Sequence, residues 1–123
     1  MFARLMGLRT ISPDRLLQLI QSQAVTAIDV NPRGSWLHTR VPGALNVDYQ
    51  GYRESDLPAD RDAVLVFYCS NFMCRKAPNA ALRAKKMGFA NVHVMSAGIK
   101  GWVDAGLPVE SGEPAPRGDR AHA

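Results

Sequence analysis

At 123 residues, 46% hydrophobic and 21% charged, the chain has the composition of one soluble globular domain, large enough to bury roughly two-thirds of its unfolded surface. Its formal charge of +4 comes without the basic clusters and interleaved aromatics of a nucleic-acid binder. No run approaches the roughly 18 apolar residues of a membrane span, and residues 1–7 lack a signal peptide's apolar length and cleavage site, so a cytoplasmic protein with neither nucleic acid nor membrane as partner is expected.

Residues 1–11 read as a loosely attached lead-in to a domain over residues 12–110. Ser12-Pro13-Asp14 is a helix start, with Ser as cap, Pro at the first helical position and an acid in the first turn. Leu16, Leu17 and Ile20 follow as an apolar stripe. Residues 25–30 predict a first strand, broken at Asn31-Pro32-Arg33-Gly34 because proline cannot continue a central strand. Trp36-Leu37 belongs to a short helix, Val41-Pro42-Gly43 to a turn and residues 44–47 to a second strand. Residues 48–62 are polar and read as a long loop with one helical turn.

The run Val64-Leu65-Val66-Phe67-Tyr68 is short, β-branched and aromatic, as in a strand covered on both faces. Residues 70–77 carry no apolar period. A helix is predicted over 78–87, with Ala81, Ala84 and Met87 on one face and Gly88 as its cap. Residues 91–95 form a fourth strand. Residues 96–105 form a short helix around Ile99 and Trp102, stopped by Gly106 and Pro108. Residues 111–123 are disordered by composition. Strands alternating with helices imply an α/β fold, a mainly parallel sheet with helices on both faces, whose ligands bind beyond the carboxyl ends of the strands.

Cys69 stands at such an end, between a buried strand and the start of a helix. Backbone N–H groups and the helix dipole there favour negative charge, so Cys69 is expected to be an acidified thiolate nucleophile. The loop Ser70, Asn71, Phe72, Met73, Cys74 and Arg75 is the candidate substrate-binding segment, its amides holding the anion and the Arg75 guanidinium pairing with a sulfur or phosphorus oxyanion. Cys74 is a candidate resolving thiol, able to attack a persulfide or sulfenic acid on Cys69. Each has a plainer reading: an inert buried cysteine, a thiol lining the loop wall, a surface salt bridge. Asp29 reads as a structural hydrogen-bond partner, Lys76, Arg33 and Arg40 as solvated charges, Trp36 and Trp102 as core. His38 and His93 have no useful partner spacing. No metal site and no cofactor is expected, since two cysteines and three scattered histidines make a poor zinc set.

The chain resembles the rhodanese-like family of single-domain sulfurtransferases over most of residues 12–110. The resemblance rests on Ala27-Ile28-Asp29-Val30, Val41-Pro42-Gly43-Ala44-Leu45-Asn46-Val47, Phe67-Tyr68-Cys69, Ala80-Ala81, Gly88-Phe89, Asn91-Val92-His93-Val94, Ala97-Gly98-Ile99-Lys100-Gly101-Trp102 and Gly106-Leu107-Pro108-Val109. It implies a three-layer α/β/α fold with Cys69 as the catalytic residue. The family's usual loop runs Cys-x-x-Gly-x-Arg; here Arg75 is six positions after Cys69 and the loop holds no glycine. Asp29-Val30-Asn31 stands where Asp-Val-Arg is common, and Thr39-Arg40-Val41-Pro42-Gly43-Ala44 where Gly-His-Ile-Pro-Gly-Ala is.

The resemblance implies a sulfurtransferase that moves sulfane sulfur from an anionic donor such as thiosulfate to a thiol, an acceptor protein or cyanide through a Cys69 persulfide. A Cys-x5-Arg loop is also the pattern of cysteine-dependent phosphatases and arsenate-type reductases, with Asp29, Asp48 or Glu54 as the acid. A non-catalytic binding module on the same fold is the third reading.

Overall fold

The apolar run from Val64 folds as β4 (Val64–Tyr68), a central strand, in a computed structural model that describes residues 2–114. It pairs in parallel with β2 (Thr26–Asp29) on one side and β5 (Asn91–Val94) on the other, in register Ile28 to Phe67 and Phe67 to Val94. The edges are β3 (Leu45–Asn46) beside β2 and β1 (Arg9–Thr10) beside β5. The sheet is therefore five-stranded, ordered β1-β5-β4-β2-β3 and parallel throughout.

Strand residues alternate between faces, and β4 divides the core accordingly. Leu65, Phe67 and Cys69 join one buried cluster, where the alanine face of α4 (Lys76–Lys86) packs through Ala77, Ala80, Ala81 and Ala84. Val66 and Tyr68 join the other, with Leu16 of α2 (Pro13–Gln21) and Trp102 of α5 (Gly98–Asp104). Helices thus cover both faces, the expected three layers. Each large apolar side chain so buried contributes about 1.5–3 kcal/mol. Ser12 caps α2 through Arg15 N–H at 3.1 Å, as its sequence predicts. The helix α4 begins at Lys76 rather than Pro78; Pro78 sits in its first turn, where no intrahelical N–H is needed. Gly88 follows α4 at φ +100°, a conformation that favours glycine.

Three expectations are corrected. Of the expected loose lead-in over residues 1–11, the described part, residues 2–11, is docked on the domain. The helix α1 (Phe2–Leu5) buries Ala3, Leu8 packs beside it, and β1 docks on β5 with two residues too few to show a period. The segment after 110 is held as far as residue 114. Arg40 and Glu110 exchange backbone hydrogen bonds, Gly112 N–H reaches Leu37 of α3 (Arg33–His38) at 2.7 Å, and Glu113 pairs with Arg33 at 2.9 Å. Residues 115–123 of the expected disordered tail lie outside the described residues. Arg40 is not solvated: it is buried over the Trp36 ring at 4.3 Å, its guanidinium donating to the carbonyls of Trp36 and Gly112.

A buried polar network joins β2, β4 and the turn before β3. Tyr68 Oη donates to Asp29 Oδ2 (2.7 Å) and accepts from Val41 N–H (3.0 Å), while Asn31 N–H donates to Asp29 Oδ1 (2.7 Å). Burial raises the Asp29 pKa above its ordinary 3.8, against the lowering effect of these hydrogen bonds and of Arg40. The Tyr68→Phe change strands the Val41 N–H and one carboxylate oxygen, and should cost about 1–3 kcal/mol in urea unfolding. Because the folded Asp29 holds its proton more tightly than the unfolded one, its contribution is fully present below pH 3.8 and is lost as pH rises through its folded value. Wild type should therefore lose stability relative to Asp29→Asn across that window; parallel pH profiles for the two proteins would contradict this account.

Candidate active site

Cys69 follows β4 directly and shares the facing of Leu65 and Phe67, so its thiol points toward the start of α4. Two backbone N–H groups donate to its sulfur, those of Ser70 and of Ala77 in the first turn of α4. The strand end is pinned from behind by α5: Ile99 N–H donates to the Cys69 carbonyl at 2.9 Å and Lys100 N–H to the Ser70 carbonyl at 3.0 Å. Gly98 makes that approach geometrically accessible. It sits at φ +68°, and a Cβ there would lie 2.6 Å from the Ser70 and Asn71 backbone. The loop turns on Asn71, whose carbonyl accepts from Cys74 N–H (3.1 Å) and whose Oδ1 accepts from Met73 N–H (2.9 Å).

The expected ring of amides is thus partial: Met73 and Cys74 donate to Asn71, while Ser70 and Ala77 serve the sulfur. Cys69 is also buried, at 2% exposure, and free. Burial pushes its thiol pKa up to about 12, helped by the hydrogen bond with Cys74 and outweighing the two N–H donors. The expected acidified Cys69 thiolate is corrected accordingly: an apolar wall outweighs two dipoles. Cys74 moves the other way. Burial pushes it up, but hydrogen bonds from Cys69, from Lys76 N–H and from Ser70 outweigh that and bring it below the ordinary thiol value. The two neighbouring thiols are thus pushed in opposite directions, Cys69 up and Cys74 down.

Above the pair lies a cavity of about 10 Å³, lined by Cys69, Asn71, Phe72, Cys74, Ala77, Pro78, Val94, Met95, Ser96 and Ala3. Ser70, Phe72, Met73 and Arg75 are exposed, Phe72 at 58% and Met73 at 55%. Arg75 occupies the cap position of α4 and is not part of that lining. Lys76 lies over the Tyr49 ring at 5.7 Å. Asp29, Asp48 and Glu54 stand apart from the cavity: Asp29 serves Tyr68, Asp48 Oδ1 accepts from Gln50 N–H, and Glu54 pairs with Arg61 at 2.8 Å. His38 and His93 are likewise outside the lining. Sequence reasoning missed Ala3 and Ser96, which reach the site only through the docking of α1 and the end of β5. Among the described residues no group of three or more His, Cys, Asp and Glu is placed to hold a metal ion, and no helix is long and apolar enough to cross a membrane.

The sequence signature of the Rhodanese-like domain matches residues 12–105. The chain is 34% identical over 111 residues to the HTH-type transcriptional regulator Rv0324 of Mycobacterium tuberculosis, covering 89% of this chain and spanning 48% of that protein, about half its length. It is 28% identical over 106 residues to thiosulfate sulfurtransferase GlpE of Actinobacillus succinogenes, covering 86% of this chain and 94% of the relative. The human single-domain sulfurtransferase TSTD1 superposes with a TM-score of 0.67 at 20% identity, over 80% of this chain and 97% of its own; at that identity the match speaks for the fold.

The acidity and exposure of the pair make a direct prediction. Under limiting iodoacetamide near neutral pH, Cys74 should be alkylated at least about ten-fold faster than Cys69, since the thiolate is the reactive form. Peptide mass mapping reads the ratio, and equal rates would contradict the described pair.

Proposed function

The chain belongs to the rhodanese-like domain family, and from that premise we propose that it is a sulfurtransferase carrying sulfane sulfur as a persulfide on Cys69. The observation that supports this most is the seat of Cys69: the carboxyl end of the central strand, with the N–H groups of Ser70 and Ala77 directed at its sulfur. Those donors favour the anionic sulfur that develops there. The GlpE relative suggests thiosulfate as the donor class.

In this reading Cys69 Sγ attacks the outer sulfur of thiosulfate. Its proton passes to water admitted with the donor, the new S–S bond forms, and sulfite leaves with the electron pair of the broken one. An acceptor thiol or cyanide then attacks the outer sulfur and releases Cys69. This is double displacement through a covalent intermediate, so ping-pong kinetics are expected. The resting cavity holds about one water-sized sphere, so the donor reaches Cys69 only when the 70–75 loop or α1 shifts. Both cysteines must stay reduced, which fits a cytoplasmic setting.

The cavity weighs against hydrolysis of a phosphoester. Among the described residues no carboxylate lines it to protonate a leaving oxygen.

Incubation with thiosulfate should add about 32 Da, one sulfur atom, to wild type and nothing to Cys69→Ser, as the covalent intermediate requires. Thiocyanate should form from thiosulfate and cyanide with wild type alone. A wild type that neither gains the mass nor outpaces Cys69→Ser would remove the sulfurtransferase reading and leave a binding module.

A further inference from the structure

Cys69 and Cys74 line one cavity of about 10 Å³. That space holds about one water-sized sphere. A single atom bonded to Cys69 Sγ and lodged there is therefore walled by Cys74. The two thiols differ in access: Cys69 is 2% exposed, whereas Cys74 is only partly buried, next to the exposed Phe72 and Met73. Ser96 supplies a further wall of the cavity, and its buried Oγ has no hydrogen-bond partner among the described residues. An unpaired hydroxyl is a donor awaiting an anionic atom. In its resting shape the cavity has room for the transferred sulfur atom alone.

We propose that Cys74 is a second sulfur-carrying residue, taking the sulfane sulfur from Cys69 inside the cavity and presenting it to the acceptor at the loop surface. This rests on the sulfurtransferase reading above. The Cys69 persulfide anion and the Cys74 thiol become the Cys69 thiol and the Cys74 persulfide anion. Cys74 Sγ bonds to the outer sulfur as the Cys69 Sγ–S bond breaks. The proton crosses from Cys74 to Cys69, so sulfur and proton exchange places. No oxidant or reductant is consumed, because one S–S bond replaces another. The acceptor class is a thiol too large for the cavity, such as a cysteine on another protein.

The test loads the full chain with glutathione persulfide, quenches it with iodoacetamide at increasing times, and locates the added sulfur by fragmenting the peptide that holds both cysteines. In wild type the sulfur on Cys74 should rise as the sulfur on Cys69 falls once excess donor is removed. In Cys74→Ser, sulfur should stay on Cys69 and hand-off to a reduced protein thiol should slow at least about ten-fold. The proposal is overturned if wild type holds sulfur on Cys69 alone, if sulfur on Cys74 does not grow at the expense of Cys69, if Cys74→Ser hands on at the wild-type rate, or if loading yields a Cys69–Cys74 disulfide and free sulfide. The wild-type map decides the matter even should a variant fold poorly. Glutathione persulfide loads the protein independently of thiosulfate, so a protein inert to thiosulfate sinks the donor assignment and leaves the Cys69-to-Cys74 result standing on its own.

Discussion

The strict alternation of β4 governs the site. Leu65, Phe67 and Cys69 face α4, while Val66 and Tyr68 face α2 and α5. Cys69 cannot turn outward without carrying two large core side chains with it, so its sulfur inherits the dryness of that face. Burial raises the thiol pKa and the Ser70 and Ala77 amides lower it; burial wins. The same geometry brings Cys74 to the wall of the Cys69 cavity, where its hydrogen bonds lower its pKa against the effect of burial.

Such a site works only if the strand end does not move. On the α5 side, Ile99 and Lys100 donate to the Cys69 and Ser70 carbonyls, an approach that the missing Cβ of Gly98 permits. On the β2 side, the Asp29 carboxylate receives Tyr68 Oη and Asn31 N–H, and Tyr68 receives Val41 N–H. Tyr68 bridges the Asp29 carboxylate and the Val41 amide, groups on two other segments, which makes its removal more costly than a single hydrogen bond suggests. Position is thus held by backbone donors and a buried carboxylate, and reactivity is left to the loop.

Both flanks of the domain contribute to this order. The helix α1 carries Ala3 into the wall of the Cys69 cavity, and β1 extends the sheet beyond β5. At the other flank, Arg40 is buried by stacking on Trp36 and by backbone partners from residues 36 and 112, with Glu110 at 3.7 Å. Guanidinium stacking with satisfied hydrogen bonds is what permits a charge at that depth.

The alternating pattern of strands and helices, the helix start at Ser12-Pro13, the cap at Gly88 and the place of Cys69 at the end of a buried strand were all legible in the sequence, because periodicity, proline and glycine act over a few residues. The burial of Arg40, the seating of Ala3 and Ser96 in the cavity, the two-residue strand β1 and the distribution of charge within the thiol pair were not. Each depends on groups far apart along the chain, such as Arg40 on Gly112 and Cys69 on Ala77 and α1. Chain order determined which thiol ends the central strand; tertiary packing decided which of the two thiols is buried, since desolvation is a property of the finished core and not of the neighbouring residues.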